Sequence, residues 1–380
     1  MSGPLDGLKV IELAGLGPAP YACMLLADLG ADVLRLERGD PDADAVTTHD
    51  LLNRSRDSVA LDLKSDAGRE LVLDLCEQAH VLIEAFRPGV TERLGLGPDQ
   101  VLARNPSLVY GRMTGFGQEG VLAQSAGHDI NYIAISGALW PIGRSGERPV
   151  PPLNFVGDFG GGAMFLALGV LAGVLWARQS GEGQVVDAAM VDGSASLLAM
   201  THSLIDAGVW HEERGANILD SGAPFYEVYE TSDHGYVAVG AIEESFYRQL
   251  LDGLGLGDAE LPAQMDRKAW PEMKARFARI FAERTRDEWT STFEGTDACV
   301  TPVLAPREAA HHRYNVDREV FDTSGAVQPR PAPRFSRTPG SVRQPPTRAG
   351  SGTRAGLLRW GVSEDRLAAL RESGAFGRST

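Results

Sequence analysis

Short β-rich runs alternate with helical stretches through the first third of the sequence: LKVIELA, YACMLLADLG, ADVLRLER, SVALDL, AGRELVLDLCEQA, HVLIEAF and SLVYGRMTGF. Strands separated by helices pair in parallel and need helices on both faces of the sheet. The first expectation is therefore an α/β fold with a doubly wound parallel sheet.

Further on the rhythm changes. YEVYETSDHGYVAVGAI reads as a hairpin turning at Asp233-His234-Gly235, and SFYRQLLDGLG and WPEMKARFARIFAERT read as helices, so a smaller α+β unit is expected. The run AMFLALGVLAGVLWA, residues 163–177, is shorter than the roughly 18 residues of a transmembrane candidate and reads as a buried helix. From about residue 326 the chain is dense in Pro, Arg, Gly and Ser, the composition of an extended crossing segment or linker, before a last amphipathic helix, SEDRLAALRESG. The expected division is a large domain over 1–188, a linker over 189–226, a small domain over 227–310 and a closing segment over 311–380.

With 380 residues, 43% of them hydrophobic, the chain can bury a large core. A formal net charge of −15 argues against a nucleic-acid partner and against a general affinity for anionic membranes. Three widely spaced cysteines, Cys23, Cys76 and Cys299, form no CxxC and suggest neither a disulfide framework nor zinc. The N-terminus lacks the basic and long apolar regions of a signal peptide, and the C-terminal GRST is not a peroxisomal address. A cytoplasmic location is the expectation.

The first strand, Gly15-Leu16-Gly17 and the following helix, with Glu37 at the end of the next strand, invite a dinucleotide reading. Pro18 and Pro20 weaken it, because neither has the backbone N–H that a pyrophosphate would use, and proline in a first turn is a helix-start signal. Basic residues recur where strands are expected to end: Arg38, Lys64 and Arg87, with Arg93 beyond. Ligands of open parallel sheets bind at that edge, and several cations in so acidic a chain suit a nucleotide or coenzyme A, although any one of them is equally explained as a solvated surface charge.

AGHDINY places His128-Asp129 after a glycine and ahead of an apolar segment. A lone histidine there is more often a hydrogen-bonded core residue. Against that, Gly127 permits close approach, Asp129 is a good N-cap, and a helix start offers free N–H groups to an anion while His128 moves a proton. Asp158 in NFVGDFGGGAMF has an equally plain explanation, a helix-capping aspartate followed by packing glycines. Together the two residues suggest more: an imidazole and a buried carboxyl on opposite sides of one carbon exchange its proton stereochemically. No GxSxG, GxxxxGK[ST] or HExxH occurs, His311-His312 reads as solvated, and no second ligand cluster supports a metal at His128-Asp129.

At these residues the chain resembles the α-methylacyl-CoA racemase family of the class III CoA-transferase superfamily. The likeness runs through GLKVIELAGLGPAPYACMLLADLGADVLRLER, RPGVTERLGLGP, RMTGFGQEG, AGHDINY, GQVVDAAMVDG, VAVGAIE and GTDACVTPVL, and PRPAPRFSRTP extends it. The resemblance implies that His128 and Asp158 face each other across the substrate. It also implies that Glu243 supports the histidine from the small domain and that the Asp129 backbone N–H binds the enolate oxygen. Gly127, Ile130, Asn131 and Tyr132 of the same segment are implied substrate contacts, and Arg38, the strand end Ala60, Leu61, Asp62, Leu63 and Lys64, and Arg87 and Arg93 would hold the CoA moiety. The implied fold is a Rossmann-like large domain, a small domain and a returning arm, in two interlocked subunits.

The expected activity is interconversion of (R)- and (S)-2-methylacyl-CoA thioesters with no separate cofactor, coenzyme A being part of the substrate. The competing expectation is a class III CoA transferase using Asp158 as a nucleophile through an aspartyl-CoA thioester. His128 separates the two, since a transferase needs no base facing its nucleophile. Asp158 should be raised by burial to carry a proton near neutrality. Met190 and Met200 are candidates for an adaptable acyl surface, with core packing as their simpler role.

Overall fold

The computed structural model describes residues 3–38 and 49–376. The chain divides into two compact units: one built from residues up to Ala138, Pro152–Leu198 and Gln328 onward, the other from Leu139–Pro151 and Ala199–Val327.

Among the described residues, six strands form the parallel sheet of the first unit: β1 (Lys9–Leu13), β2 (Asp32–Glu37), β3 (Asp57–Ala60), β4 (Val81–Glu84), β5 (Val109–Thr114) and β6 (Gln184–Ala189). Their order is β3-β2-β1-β4-β5-β6, so the direction of winding reverses between β1 and β4. The short apolar runs become strands because both faces are covered. Val10, Val33, Val81 and Ile83 pack on one side and Ile11, Leu13, Leu34, Leu36 and Leu82 on the other, the period-2 alternation of a pleated strand.

The first face is covered by helices α1 (Pro18–Asp28) and, later in the chain, α4 (Met164–Ser180), through Ala22, Cys23, Leu26, Leu166, Val170 and Val174. Each such buried Val or Leu contributes roughly 1.5–3 kcal/mol. The opposite face is covered by α2 (Asp66–Cys76) together with two helices from the end of the chain. Pro18 stands in the first turn of α1 behind Gly17, as a start signal should.

Charge is also buried in this unit. Glu12, fully inaccessible in β1, accepts from Arg35 Nη1 at 3.1 Å and from Arg56, and both guanidinium groups also bond Asn53. Arg54 pairs with Asp28, and Arg112 in β5 bridges Glu84 and Glu92.

The run expected as a buried helix over 163–177 differs from that reading. Phe155–Ala163 is a π-helix that continues directly into α4, giving a 26-residue helical segment, Phe155–Ser180, long and apolar enough by composition to cross a membrane. Its inward residues Leu166, Val170, Gly173 and Val174 are buried, whereas Met164, Leu168, Leu175 and Trp176 are exposed. The helix packs against β5 and β6 with one face only, and its outer face is as apolar as its inner one.

The second unit holds β7 (Tyr226–Glu230), β8 (Tyr236–Gly240) and β9 (Val300–Pro302) as an antiparallel sheet, with the β7–β8 turn at the expected Asp233-His234-Gly235. Its helices α6 (Glu244–Gly253), α7 (Trp270–Phe281) and α8 (Arg286–Phe293) close an aromatic core in which Tyr229 stacks on Phe281 at 4.9 Å and Trp289 meets Phe281 edge-on.

The boundaries fall elsewhere than at 188, 226 and 310. Helix α5 (Met190–Ser196), placed by the sequence in a linker, packs on the π-helix and so belongs to the first unit, while 139–151 leaves it. The Pro- and Arg-rich segment is held against the first unit by hydrogen bonds of its main chain: Ser55 N–H donates to Gln344 O, Arg343 N–H to Ser55 Oγ, and Gly350 N–H to Ser58 Oγ. It leads into α9 (Thr353–Arg359) and α10 (Glu364–Glu372), whose Leu357, Trp360, Leu367 and Leu370 complete the core beside α2.

Candidate active site

The carboxyl ends of β1, β4 and β5 open into a pocket of about 540 Å³ in the first unit, at the point where the strand order reverses. Open α/β sheets bind ligands there because the loops leaving adjacent strands diverge to opposite faces. Gly15–Pro18 form one wall after β1, Ala85–Pro88 another after β4, and Met113–Phe116 a third at the end of β5. Ala126–His128, Tyr132, Asp158 and Met190 complete it, so His128 and Asp158, thirty positions apart, line one cavity.

His128 is exposed and is itself the N-cap of helix α3 (Asp129–Ile135), with extended φ −129° and ψ 175°. The expectation that Asp129 caps this helix is corrected. Asn131 reaches back to accept from the His128 N–H at 3.0 Å, which fixes His128 at the cap and makes Asp129 the first helical residue. Tyr132, one turn on, donates to Gly127 O and packs edge-on against Phe116 at 5.0 Å, fixing the strap that carries the imidazole.

Asp158 does not cap a helix either. It lies within the π-helix, half-buried, and Asn154 Nδ2 donates to its Oδ2 at 3.2 Å. Local π-helical turns are uncommon and are frequently found at functional sites. Burial pushes the Asp158 carboxyl above its ordinary range; the Asn154 hydrogen bond and the nearby His128 oppose this, while the charge of Asp129 reinforces it. Burial likewise raises Tyr132, helped by Asp158 and Asp129 and opposed by Arg87.

Of the expected cationic residues, Arg87 lines the pocket. Arg38 directly follows β2, Lys64 lies beyond β3 and Arg93 ends the short helix Val90–Arg93; all three are exposed and outside the pocket lining. Leu61 is core, and Ala60 N–H is taken by Thr353 Oγ1. Asp62 Oδ1 accepts from Lys64 N–H, and Leu63 packs at the edge of the core. Ile130 and Asn131 are exposed on α3. Met190 lines the pocket, whereas Met200 lies in the second unit. Glu243 is the N-cap of α6, also in the second unit.

Sequence reasoning missed Asn154, and it met Gly15–Pro18 as a weakened dinucleotide loop and helix start, not as a wall of this pocket. Asn154 bonds Asp158 through the wound π-turn, a geometry no local pattern announces. Gly17 did carry a signal, its place between a strand and two prolines: at φ +68° a Cβ there would stand 3.2 Å from Asp158 Oδ2. Among the described residues no group of three or more His, Cys, Asp or Glu is placed to hold a metal ion.

An imidazole and a carboxyl raised toward its neutral form, on separate walls of one pocket, can pass a proton to and from a carbon held between them. Comparison with known proteins agrees in kind. The pattern of CoA-transferase family III matches residues 5–353. The chain is 48% identical over 370 residues to the α-methylacyl-CoA racemase of Mus musculus, covering 96% of each, and 48% identical over 337 residues to that of Homo sapiens, covering 88% of this chain and 87% of the relative. The crystal structure of a CaiB/BaiF family protein from Brucella suis superposes with a TM-score of 0.81 at 24% identity, over 95% of this chain and 100% of that one, which shows the shared fold.

Proposed function

The chain belongs to CoA-transferase family III, and from that premise we propose that it acts as an α-methylacyl-CoA racemase, interconverting (R)- and (S)-2-methylacyl-CoA thioesters. The observation that carries the mechanism is the placement of His128 and Asp158 in one pocket.

The α-proton of a thioester is far less acidic than any side chain, so the enolate must be stabilised as it forms. Asp129 is the first residue of α3, and its N–H has no partner within the helix, so it is available to the enolate oxygen. Removing one such donor typically costs on the order of a hundredfold or more in rate. In one direction neutral His128 takes the proton and protonated Asp158 returns one to the opposite face; in the other the roles exchange. Binding of the CoA moiety, with Arg87 at the pocket wall and Arg38, Lys64 and Arg93 along the sheet edge, positions the acyl group far from where the affinity arises. No separate cofactor takes part.

A transferase would need Asp158 ionised as a nucleophile. Burial raises the Asp158 carboxyl, which opposes that ionised form, and a facing imidazole has no task in that chemistry. A homodimer belongs to the same reading: the exposed apolar face of Met164, Leu168, Leu175 and Trp176 is surface that such an assembly would cover, and Glu243 would support the imidazole within it. Three free thiols suit a reducing cytoplasm.

The test uses one enantiomer of a 2-methylacyl-CoA in D2O. Loss of optical purity with deuterium at the α-carbon is expected, and His128→Ala and Asp158→Ala should each abolish it while leaving the fold intact. Exchange of CoA between acids without α-labelling would overturn the racemase reading.

A further inference from the structure

The side chain of Asp129 has so far had no task, yet it is more deeply buried than either reacting group, at 6% exposure. Its Oδ2 accepts the Asp158 N–H at 2.7 Å. Its Oδ1 is buried and has no hydrogen-bond donor among the described residues. The neighbouring backbone is shaped around it: a Cβ on Gly157 would fall 2.6 Å from Asp129 Oδ2 and 2.8 Å from its Cγ, closer than real Cβ atoms come. Gly157 is thus the residue that lets this carboxylate reach the π-helical turn.

We propose, resting on the racemase reading, that the Asp129 carboxylate is a positioning residue for Asp158: it pins the Gly157–Asp158 turn and holds a fixed negative charge behind the Asp158 acid. The two carboxyls form an unequal pair. Asp129 receives a backbone N–H at 2.7 Å, while Asp158 faces the pocket with the longer Asn154 contact at 3.2 Å. The direction of the Asp158 shift, with Asp129 among its causes, agrees.

The remaining titratable groups around the pair are few. His128 stands on the same strap, Tyr132 one turn along α3, and Arg87 on the loop after β4. Among the packed helices, α1 brings Tyr21, whose ring meets Phe159, and Asp28, already paired with Arg54; α5 brings Asp192, which is exposed. None of these supplies a second negative charge at the Asp158 backbone.

Asp129→Asn and Asp129→Ala separate the two effects. The amide still accepts the Asp158 N–H but carries no charge, so Asp158 becomes a stronger acid. In the direction in which Asp158 takes the proton, the acid limb of kcat/KM should then move to lower pH, with a modest loss at the maximum. Alanine also removes the anchor, and kcat should fall on the order of a hundredfold, the scale of an ångström-sized misplacement of a reacting group. Gly157→Ala displaces the same carboxylate without touching Asp129, and combined with Asp129→Ala it should cost less than the sum of the two, because both remove one contact.

A loss of rate in Asp129→Asn with an unmoved acid limb, or additive losses in the double variant, would overturn the inference. Titration of the Asp158 carboxyl carbon by NMR needs no turnover: the carboxyl should lose its proton at lower pH in Asp129→Asn than in the unaltered protein. An unchanged titration refutes the pairing even where racemisation is intact. A shifted titration in a protein that exchanges no α-proton sustains the pairing and refutes the racemase reading instead.

Discussion

Replacing Gly17 with alanine tests whether the loop after β1 holds Asp158 in place. Gly17 caps α1 with φ 68° and ψ −111°, a combination that side-chain-bearing residues rarely adopt. Holding alanine there costs about 1–3 kcal/mol. The new methyl would also lie 3.2 Å from Asp158 Oδ2 and 3.7 Å from its Cγ, so the carboxyl must yield by a few tenths of an ångström. If a full ångström costs about a hundredfold, this displacement should cost roughly five- to tenfold in kcat. The control is Gly7→Ala, also at positive φ (79°) but with nothing within 4 Å of the added Cβ. It should lose about 1–2 kcal/mol with kcat unchanged. Urea unfolding gives the stability of each variant, and α-deuterium incorporation gives the rate. If Gly17→Ala matches Gly7→Ala in both, the carboxyl is not held against this turn, and the geometry assigned to Asp158 is wrong.

Two further outcomes follow from buried charge. Glu12→Gln takes from the inaccessible Arg56 guanidinium its carboxylate partner, while Arg35 keeps Glu37, and should destabilise the first unit by about 3–5 kcal/mol in denaturant; a loss under about 1 kcal/mol would show that the pair is not desolvated. Asp158→Asn should stabilise the protein. Burial raises the folded-state pKa of Asp158, so its ionised form is penalised at high pH, and the advantage of asparagine should be full well above that pKa and shrink as pH falls through it. Unfolding midpoints compared between about pH 8 and about pH 4 check this, and an advantage that grows toward acid would reverse the assignment.

The parallel sheet was legible because one covered on both faces leaves near-continuous apolar runs, as in VLIE of β4, where all four residues are buried. His128 and Asp158 were legible as residue types beside glycines. The winding that brings Asp158 into the pocket was not, since FVGDFGGGA reads equally well as a loop or as a capped α-helix, and only packing against α1 and α5 selects the π form. Asp129 was assigned to the cap because aspartate is a good one; Asn131 outcompeted it by reaching the preceding N–H, and freed the carboxylate for Asp158. The outward face of α4 defeated periodicity, because its exposed side chains are as apolar as its buried ones. Arg54 and Arg56 of NRSRDS pair with Asp28 and Glu12, which lie far upstream, where no local pattern records them.

The first unit is closed by the last part of the chain: Leu357, Trp360, Leu367 and Leu370 seal the side of the sheet where Leu34, Val59 and Leu71 wait. A ribosome adding roughly 5–20 residues per second needs about 8–30 s to travel from Leu198 to Leu357, with most of the second unit, Ala199–Val327, made in between. During that interval the part of one sheet face that α2 does not cover stands open to water. The nascent protein is therefore obliged to mature out of order, its second unit free to settle while its first waits, which makes the open side of β2 and β3 the natural place for a chaperone to hold.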